Sequence, residues 1–328
     1  MPETHPLRVG IIGTAQITDE ALVAPARGQP GVKLCRVASR DADRARAFAE
    51  ARGIPTASGD YADVFEAEDL DLVYIATPNA FHVEHAKAAL QGGKSVLCEK
   101  PLAMTRAEAE SLRELSGESQ LLWEGFHYLH HPLAGAALDA VHSLGPLESV
   151  EVCYRLPLLD RGAIHWRPEL GGGVTGNLGC YALHFGRRLL GEPLGELLEV
   201  EASREGFEVE HTLGARFVTE SGARFSMSVS QHPDAPVEVW AEARGHHGRV
   251  RVVQPFLPQM GGAQLELETR SEARRLTADT RPTFEFQLEA LLRRMRSEDH
   301  AADADFGLEA AIENAEAIER IRARLPAA

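Results

Sequence analysis

Short apolar segments alternate with helix-forming segments over the first 122 residues of the chain. The apolar segments are LRVGII, VKLCRVA, DLVYIA, KSVLCE and QLLWE, with a weaker one at Pro55–Ala57. Strands that are apolar throughout and alternate with helices predict a doubly wound parallel sheet covered on both faces, within an α/β fold. The helices predicted between and after these strands are Gln16–Ala26, Asp41–Arg52, Tyr61–Glu66, Ala80–Gln91 and Thr105–Ser116.

The hydrophobic pattern changes after residue 122. A helix at Leu133–Ser143 and a strand at Leu147–Arg155 lead into a glycine-rich turn and a further helix. From Glu196 to about Leu276, several segments alternate apolar and polar residues with a period of two, which predicts an antiparallel sheet. Two helices, Phe284–Ser297 and Asp305–Leu325, are expected to follow this sheet.

Length and composition set broad limits on the protein. Because 328 residues exceed one ordinary core, we expect two domains, residues 1–122 and residues 123–328. The 44% hydrophobic and 25% charged residues are typical of a globular protein, and MPETHPLRVG lacks the pattern of a secretion signal. No apolar run is long enough to predict a membrane span.

A net charge of −15 argues against a nucleic-acid partner. Four cysteines without a C-x-x-C pair indicate buried thiols in a reducing cytoplasm.

The first predicted strand leads into RVGIIGTAQIT, which contains part of the glycine pattern of a dinucleotide-binding loop. Gly13 occupies the first glycine position, but Ala15 and Thr18 occupy the second and third. The methyl group of Ala15 narrows the approach of a pyrophosphate, yet it leaves the backbone N–H donors in place. The loop alone leaves dinucleotide binding and an ordinary strand-to-helix turn as alternatives. The candidate cofactor-binding residues in this loop are Gly13, Thr14, Ala15, Gln16 and Ile17.

The segment VASRDADR places Ser39 and Arg40 at the end of the second strand, with Arg44 one helical turn later. An acidic residue at this point binds the ribose 2′-hydroxyl of NAD, whereas an arginine accommodates the 2′-phosphate of NADP. The sequence therefore favours NADP as the cofactor, with NAD possible. The alternative is that Arg40 is a solvated surface residue next to Asp41, which caps the following helix.

The segments IATPNAFHVEHA and VLCEKPLA end the fourth and fifth predicted strands. They bring Thr77, Pro78, Asn79, Glu99 and Lys100 to the carboxyl edge of the sheet, where sheets of this class bind ligands. A lysine at the end of an apolar strand is unusual, because burial destabilises its charge unless a partner or a function holds it. The alternative is a surface lysine paired with Glu99.

Several histidines lie close together in the sequence, but none of them combines with cysteine or a carboxylate at metal-ligand spacing, so we expect no metal. His82, in the segment after the fourth strand, is instead a candidate cofactor-binding residue. The segment FHYLHHP, Phe126–Pro132, predicts packing at the domain junction. A position beside the substrate for Tyr128 or His127 is the alternative.

Taken together, these segments resemble the GFO/IDH/MocA oxidoreductases. The resemblance covers nearly the whole chain and includes ELGGGVTGNLGCYALH, and its most specific element is the EKP tripeptide at Glu99–Pro101. The most similar branch contains dihydrodiol and aldose (xylose-type) dehydrogenases, several of which also have alanine at the position of Ala15. The resemblance implies an N-terminal Rossmann domain, a nicotinamide cofactor and a C-terminal α/β domain. In this family that second domain has a large open-faced, mainly antiparallel sheet that commonly pairs in dimers or dimers of dimers.

The resemblance also implies which residues are catalytic. Lys100 of EKP is expected beside the nicotinamide and the reacting hydroxyl. The family has an Asp and, four residues later, an acid-base His or Tyr on one helix; here these positions are Asn177 and Tyr181. A phenol with a reference pKa of about 10 needs an adjacent cation to act near neutral pH, and Lys100 can supply it.

Two positions depart from the family pattern. Asn177 is neutral where the family usually has an anionic Asp, and His165 in IHWRPELGGG replaces an arginine of the most similar branch. A contact with the substrate is therefore expected to differ from the one in the most similar branch of the family. His165, the adjacent Trp166, His184 and Tyr128 are candidate substrate contacts, and the alternative for His184 is a hydrogen-bonded core histidine.

The function expected from the sequence is hydride transfer between NADP and a sugar, polyol or related cyclic alcohol or carbonyl. Tyr181 would be the general acid-base and Lys100 the cation at the substrate oxygen, in a cytoplasmic homo-oligomer. One alternative is a redox-neutral reaction, such as glycoside cleavage, with a tightly held nicotinamide. The other is a non-catalytic sugar or cofactor sensor, motivated by the departures in the glycine loop and at Asn177 and His165.

Overall fold

The computed structural model describes residues 5–115, 120–296 and 306–326. The chain forms two compact units, Met1–Phe126 with Phe284–Ile312 and His127–Thr283 with Glu313–Ala328. The first unit therefore extends a few residues past the boundary expected at residue 122, and it includes a segment that the sequence assigned to the second domain. Hydrophobic periodicity does not report which sheet a late helix packs against, so this assignment depends on the tertiary structure.

The first unit contains a six-stranded sheet with the strand order β3-β2-β1-β4-β5-β6. Every neighbouring pair is parallel, as the apolar strands predicted. Because β1 lies between β2 and β4, the strand order reverses there, and ligands of such sheets bind at the carboxyl ends beside this point. The strands are β1 (Leu7–Ile12), β2 (Val32–Ala38), β3 (Thr56–Ser58), β4 (Leu72–Ile75), β5 (Ser95–Cys98) and β6 (Leu122–Glu124).

The helices of this unit are mostly those that the sequence predicted. Asp41 caps α2 by accepting hydrogen bonds from the backbone N–H groups of Asp43 and Arg44, and Gly53 ends the helix in a left-handed conformation. The helix predicted at Thr105–Ser116 is shorter in the structure, and Ser116 lies outside the described residues. The helices are α1 (Ala24–Arg27), α2 (Ala42–Arg52), α3 (Ala62–Phe65), α4 (His82–Gln91) and α5 (Arg106–Glu110), with a π-helical turn (Asp19–Val23) before α1 and a 3-10 turn (Asn79–Phe81) before α4.

The second unit contains an eight-stranded sheet with the strand order β14-β13-β12-β11-β7-β10-β9-β8. Only β7 and β10 pair in parallel, so the sheet is mainly antiparallel, as expected. The strands are β7 (Leu147–Arg155), β8 (Glu196–Ser203), β9 (Thr212–Val218), β10 (Arg224–Ser230), β11 (Glu238–Gly245), β12 (Gly248–Val253), β13 (Gln264–Thr269) and β14 (Ala273–Thr277).

Helices cover one face of this sheet, and charged side chains occupy the other. The helices in this part of the chain are α6 (Pro132–Val141) and α7 (Cys180–Leu190), and α8 (Thr283–Met295) and α9 (Leu308–Arg322) follow the sheet. The predicted ends of the last two helices at Ser297 and Asp305 lie outside the described residues. Gly186 of α7 allows close packing, because a Cβ there would overlap the ring of Phe225. On the other face, the guanidinium groups of Arg249 and Arg251 each lie 3.3 Å from the Glu242 carboxylate.

All four cysteines lie in the described part of the chain as buried thiols. Among the described helices, none has the length and apolar character needed to cross a membrane.

Candidate active site

The glycine loop follows β1 and presents backbone donors at the carboxyl edge of the first sheet. Gly13 has a φ of +95°, and a Cβ at this residue would lie 2.5 Å from the carbonyl oxygen of Ala76, so only glycine fits. The Gly13 N–H donates a hydrogen bond of 2.9 Å to the carbonyl oxygen of Ala38. Within the described residues, the N–H groups of Thr14–Ile17 have no hydrogen-bond acceptor. Such a row of N–H donors before a helix is suited to a phosphate group.

The two substituted glycine positions leave these donors available. Ala15 is partly exposed, and its carbonyl oxygen accepts a hydrogen bond of 3.1 Å from the Thr18 N–H. Thr18 is fully buried, and its Oγ1 has no hydrogen-bond partner within the described residues. The threonine side chain is therefore buried inside the first unit and not exposed at the loop.

Ser39, Arg40 and Arg44 lie together after β2. Ser39 is buried and its Oγ accepts hydrogen bonds from Arg44 Nε at 3.2 Å and Nη2 at 2.9 Å. The Arg40 side chain is exposed, and its guanidinium lies 5.9 Å from the centre of the Phe81 ring. Two guanidinium groups are thus held at the point where a Rossmann sheet distinguishes the adenine ribose of NAD from that of NADP.

Thr77 and two histidines connect the ends of β4 and β5. Thr77 Oγ1 lies 2.9 Å from Nδ1 of His85, and its carbonyl oxygen lies 2.8 Å from Nε2 of His82. Nδ1 of His82 lies 2.7 Å from the carbonyl oxygen of Pro101, which follows Lys100. Burial lowers the pKa of His82 and of His85 to about 4, so both rings are neutral near physiological pH. His82 therefore fixes the backbone around Lys100.

Glu99 and Lys100 follow β5. Glu99 is buried and accepts a hydrogen bond of 2.7 Å from the hydroxyl of Tyr74. Burial raises the pKa of Glu99, while the Tyr74 hydroxyl and the charge of Lys100 act in the opposite direction. This carboxylate is therefore buried, whereas the alternative that the sequence left open was an ion pair at the surface. Lys100 is partly exposed at the carboxyl edge of the sheet.

In the second unit, Tyr181 lies in the first turn of α7 with its ring packed among other aromatic residues. The ring centroids of Phe256, Tyr154 and Tyr128 lie 5.3, 5.7 and 5.9 Å from that of Tyr181. The Tyr181 hydroxyl lies 2.9 Å from Nε2 of His127. The phenol is 6% exposed and has a histidine as hydrogen-bond partner, which is an arrangement suited to proton transfer.

Asn177 lies in a π-helical turn, Thr175–Gly179, directly before α7. Its Nδ2 donates to Oε1 of Gln231 at 2.9 Å, and Gln231 Nε2 donates to the carbonyl oxygen of His165 at 3.3 Å. Gln231 is fully buried. The sequence reasoning missed Gln231, and the only signal for it was a polar residue directly after the alternating strand ARFSMSVS.

The four candidate substrate residues have different environments. Trp166 is buried, donates from Nε1 to the carbonyl oxygen of Asp160 at 3.0 Å and stacks on Phe207 at 4.3 Å. His165 is partly exposed. Tyr128 and His184 are fully buried, with the Tyr128 hydroxyl 2.9 Å from Nδ1 of His184. His184 is thus a buried histidine with a hydrogen-bond partner, and contacts of either residue with substrate stay predictions.

No group of three or more His, Cys, Asp or Glu side chains is arranged to hold a metal ion within residues 5–115, 120–296 and 306–326. The polar groups of the candidate site that can bind a ligand instead include backbone N–H donors, guanidinium groups, a lysine and a buried tyrosine.

Comparison with known proteins identifies relatives over most of the chain. An oxidoreductase family with an NAD-binding Rossmann fold matches residues 7–126, and the GFO/IDH/MocA C-terminal domain matches residues 137–251. D-xylose 1-dehydrogenase (NADP(+)) 2 of Haloferax volcanii is 32% identical over 289 residues, which cover 87% of both chains. The dTDP-3,4-didehydro-2,6-dideoxy-alpha-D-glucose 3-reductase of Actinomadura kijaniata is 33% identical over 207 residues, or 61% of this chain and 62% of that protein.

A solved structure extends the similarity to the complete fold. KijD10, a 3-ketoreductase from Actinomadura kijaniata solved in complex with NADP and TDP-benzene, superposes with a TM-score of 0.87 at 27% identity. The alignment covers 97% of this chain and 98% of that chain. The motifs, the two sheets and these relatives agree, and the chain belongs to the GFO/IDH/MocA family of oxidoreductases.

Proposed function

We propose that this protein is an NADP-preferring oxidoreductase that transfers hydride between the nicotinamide and a sugar, polyol or related cyclic alcohol or carbonyl. The observation that carries the proposal is the loop after β1, where Gly13 turns the chain and the N–H groups of Thr14–Ile17 lack acceptors in the described residues. A buried tyrosine bonded to a histidine in the second unit supports acid-base chemistry.

The residues of the first unit fit a nicotinamide dinucleotide. The N–H groups of Thr14–Ile17 would hold the pyrophosphate, and Arg40 with Arg44 would bind the 2′-phosphate of NADP. Thr77–Asn79, His82, Glu99 and Lys100 would form the side of the site next to the nicotinamide. When bound, the cofactor supplies or accepts a hydride at C4 of its nicotinamide ring.

Tyr181 and Lys100 would act on the same substrate oxygen. Tyr181 would donate its proton to that oxygen during carbonyl reduction and recover it during alcohol oxidation. The ammonium of Lys100 would stabilise negative charge on the oxygen, and Asn177, held by Gln231, would orient a substrate hydroxyl. Contacts from His165 and Trp166 to the substrate stay predictions.

Names of relatives support the substrate class. One relative is named for D-xylose and NADP(+), and another for a dTDP-linked deoxysugar. A sugar carbon carrying a hydroxyl or carbonyl is the common feature of both names. We further propose a cytoplasmic location, because four buried thiols suit a reducing compartment, and a dimer-based homo-oligomer.

The test is NADP(H) turnover on a panel of aldoses, cyclic diols and dTDP-sugars. Lys100→Met and Tyr181→Phe are each expected to lower kcat by about 10²- to 10⁴-fold, with NADP affinity nearly unchanged. Lys87→Met and Tyr61→Phe make the same chemical changes in the first unit and should retain wild-type rates. Unchanged rates in both site variants would refute the assignment. A copurifying cofactor that is never consumed would indicate the redox-neutral alternative, and binding without any turnover would indicate the sensor.

A further inference from the structure

His127 connects Tyr181 to a second buried hydroxyl. The histidine begins a 3-10 turn, His127–His130, and is 3% exposed. Its Nε2 lies 2.9 Å from the Tyr181 hydroxyl, and its Nδ1 lies 2.7 Å from Oγ1 of Thr283, the first residue of α8. Thr283 is fully buried, and Pro282 before it is exposed. The three polar groups form a continuous line of hydrogen bonds.

Both partners of the His127 ring are hydroxyl groups, which can either donate or accept a hydrogen bond. A neutral imidazole has one donor nitrogen and one acceptor nitrogen. In either tautomer, each ring nitrogen of His127 can therefore be satisfied by its hydroxyl partner. Passing a proton through the ring reverses the direction of both hydrogen bonds and leaves no buried group without a partner.

His82 provides the contrast within the same chain. Its two ring nitrogens lie 2.8 and 2.7 Å from the carbonyl oxygens of Thr77 and Pro101, which can only accept. A neutral His82 can donate to only one of them, and neither carbonyl can return a proton. His82 can hold two backbone segments together, but it cannot pass a proton between them.

We propose that His127 is a proton relay that couples the Tyr181 hydroxyl to the Thr283 hydroxyl during turnover. It acts through Tyr181 and is thus a positioning residue, and the inference rests on the proposed role of Tyr181 as the acid-base. Asn177 has an amide and no carboxylate, and the hydroxyl of Tyr181 lies 2.9 Å from an imidazole nitrogen, Nε2 of His127.

The relay balances protons in both directions. In reduction, the O–H bond of Tyr181 breaks and its proton goes to the substrate oxygen while the substrate carbon takes up hydride. The Nε2 proton of His127 passes to the Tyr181 oxygen, Nδ1 takes the Thr283 hydroxyl proton, and solvent water supplies the proton that restores the threonine. The ring then carries its proton on Nδ1, and proton exchange with water returns it to the Nε2 tautomer before the next reduction. Each carbonyl reduced therefore consumes one hydride and one solvent proton. Alcohol oxidation follows the same path in reverse and releases one proton.

Thr283 permits a test that separates chemistry from shape. Thr283→Val keeps the shape of the side chain and removes the hydroxyl, whereas Thr283→Ser keeps the hydroxyl and removes a methyl group. A packing role predicts that the valine variant is the better tolerated. The relay predicts that the serine variant retains kcat within about twofold while the valine variant loses about tenfold or more.

His127→Gln should lower kcat at least as much as Thr283→Val, since an amide forms hydrogen bonds but does not exchange its proton in this way. These rates are measured on a substrate from the aldose, diol and dTDP-sugar panel, together with KM and the dissociation constant of NADPH. KM and the dissociation constant of NADPH should both stay within about twofold of the wild-type values, because the relay serves the chemical step. Wild-type kcat in His127→Gln, or in Thr283→Val, would overturn the proposal.

A substrate-free measurement keeps the relay testable even if no substrate on the panel is turned over. Nitrogen NMR of isotope-labelled histidine reports which ring nitrogen carries the proton, and the His127 signals are assigned by their loss in His127→Gln. Exchange between tautomers should place both nitrogens between the protonated and unprotonated limits. Tyr181→Phe and Thr283→Val should each shift that balance. A single fixed tautomer in all three proteins would overturn the relay, whereas absent turnover with exchanging tautomers would overturn only the proposed function.

Discussion

Gly13→Ala tests whether the first glycine of the loop is required by its backbone geometry. Two costs follow from the structure. A φ of +95° is unfavourable for alanine, at about 1–2 kcal/mol. The new Cβ would lie 2.5 Å from the Ala76 carbonyl oxygen and 2.9 Å from its carbonyl carbon, and both are backbone atoms directly after β4. Relieving such a contact costs about 1–3 kcal/mol. The sum, about 2–5 kcal/mol, is a large part of an ordinary free energy of unfolding of about 5–15 kcal/mol.

Gly53→Ala isolates the first of these costs, the unfavourable φ. Gly53 has a φ of +69°, and a Cβ there would have no neighbour within 4 Å. Gly53→Ala therefore has the cost of the unfavourable φ and no cost from a steric contact. Urea unfolding should show that Gly13→Ala loses about 1–3 kcal/mol more than Gly53→Ala.

The same pair of variants separates stability from cofactor binding. Moving the Ala76 carbonyl displaces Thr77, and straightening the turn at Gly13 displaces the N–H donors that follow. Gly13→Ala should therefore weaken NADPH binding by about tenfold or more, the effect of losing one or two hydrogen bonds to a charged group, in a titration of nicotinamide fluorescence. Gly53→Ala should bind NADPH like the wild type. Equal losses of stability in the two variants would refute the steric argument, and unchanged binding in Gly13→Ala would refute the assignment of the loop.

Three further predictions concern charge and hydrogen bonding. Arg40→Leu should weaken NADP binding by about 10- to 100-fold and leave NAD binding unchanged, whereas Arg46→Leu makes the same charge change without effect. Tyr74→Phe should lower the free energy of unfolding by about 1.5–3 kcal/mol near pH 8 and by less near pH 5, because the lost hydrogen bond serves the ionised Glu99. Burial already raises the pKa of Glu99 above its unfolded value, so the folded chain loses stability as pH rises through that pKa, and the variant loses more. Asn177→Asp should cost about 1–3 kcal/mol in thermal unfolding, since a carboxylate cannot donate to its amide partner.

Each of these three predictions has an outcome that would contradict it. Equal weakening of NADP and NAD by Arg40→Leu would remove the argument for NADP preference. A loss in Tyr74→Phe that is independent of pH would mean that Glu99 has the same charge at both pH values. An unchanged melting temperature in Asn177→Asp would mean that the neighbouring amide rotates to donate instead.

The fold and one edge of the site could be predicted from local sequence alone. Apolar strands alternating with helices determined the parallel sheet, and parallel strands end at the same edge. For that reason Thr77 and Lys100, which follow different strands, could be placed at one edge without a structure. The cap at Asp41 was predictable for a similar reason, since its hydrogen bonds reach only two and three residues along the chain.

The environment of Tyr181 could not be predicted in this way. His127 lies 54 residues from Tyr181 in sequence and 156 residues from Thr283, and hydrophobic periodicity contains no information about such pairings. The segment FHYLHHP showed several histidines but not which one meets the tyrosine. Likewise, Gln231 lies 54 residues from Asn177. The contacts of Tyr181 and Asn177 depend on how α7 and the turn before it pack within the second unit.

The departure at Asn177 has a different meaning once its partners are known. From the sequence, an amide in place of a carboxylate is a lost charge and an argument for a non-catalytic protein. In the structure, the buried Gln231 donates to the His165 carbonyl and so turns its own oxygen toward residue 177. Only a hydrogen-bond donor completes that arrangement, and a carboxylate would face another oxygen. Asn177 is therefore matched to its surroundings. With no anion at this position, the buried phenol of Tyr181 has the imidazole of His127 as a hydrogen-bond partner. A hydroxyl paired with an imidazole favours an enzyme over a sensor, because cofactor binding alone has no use for a proton path.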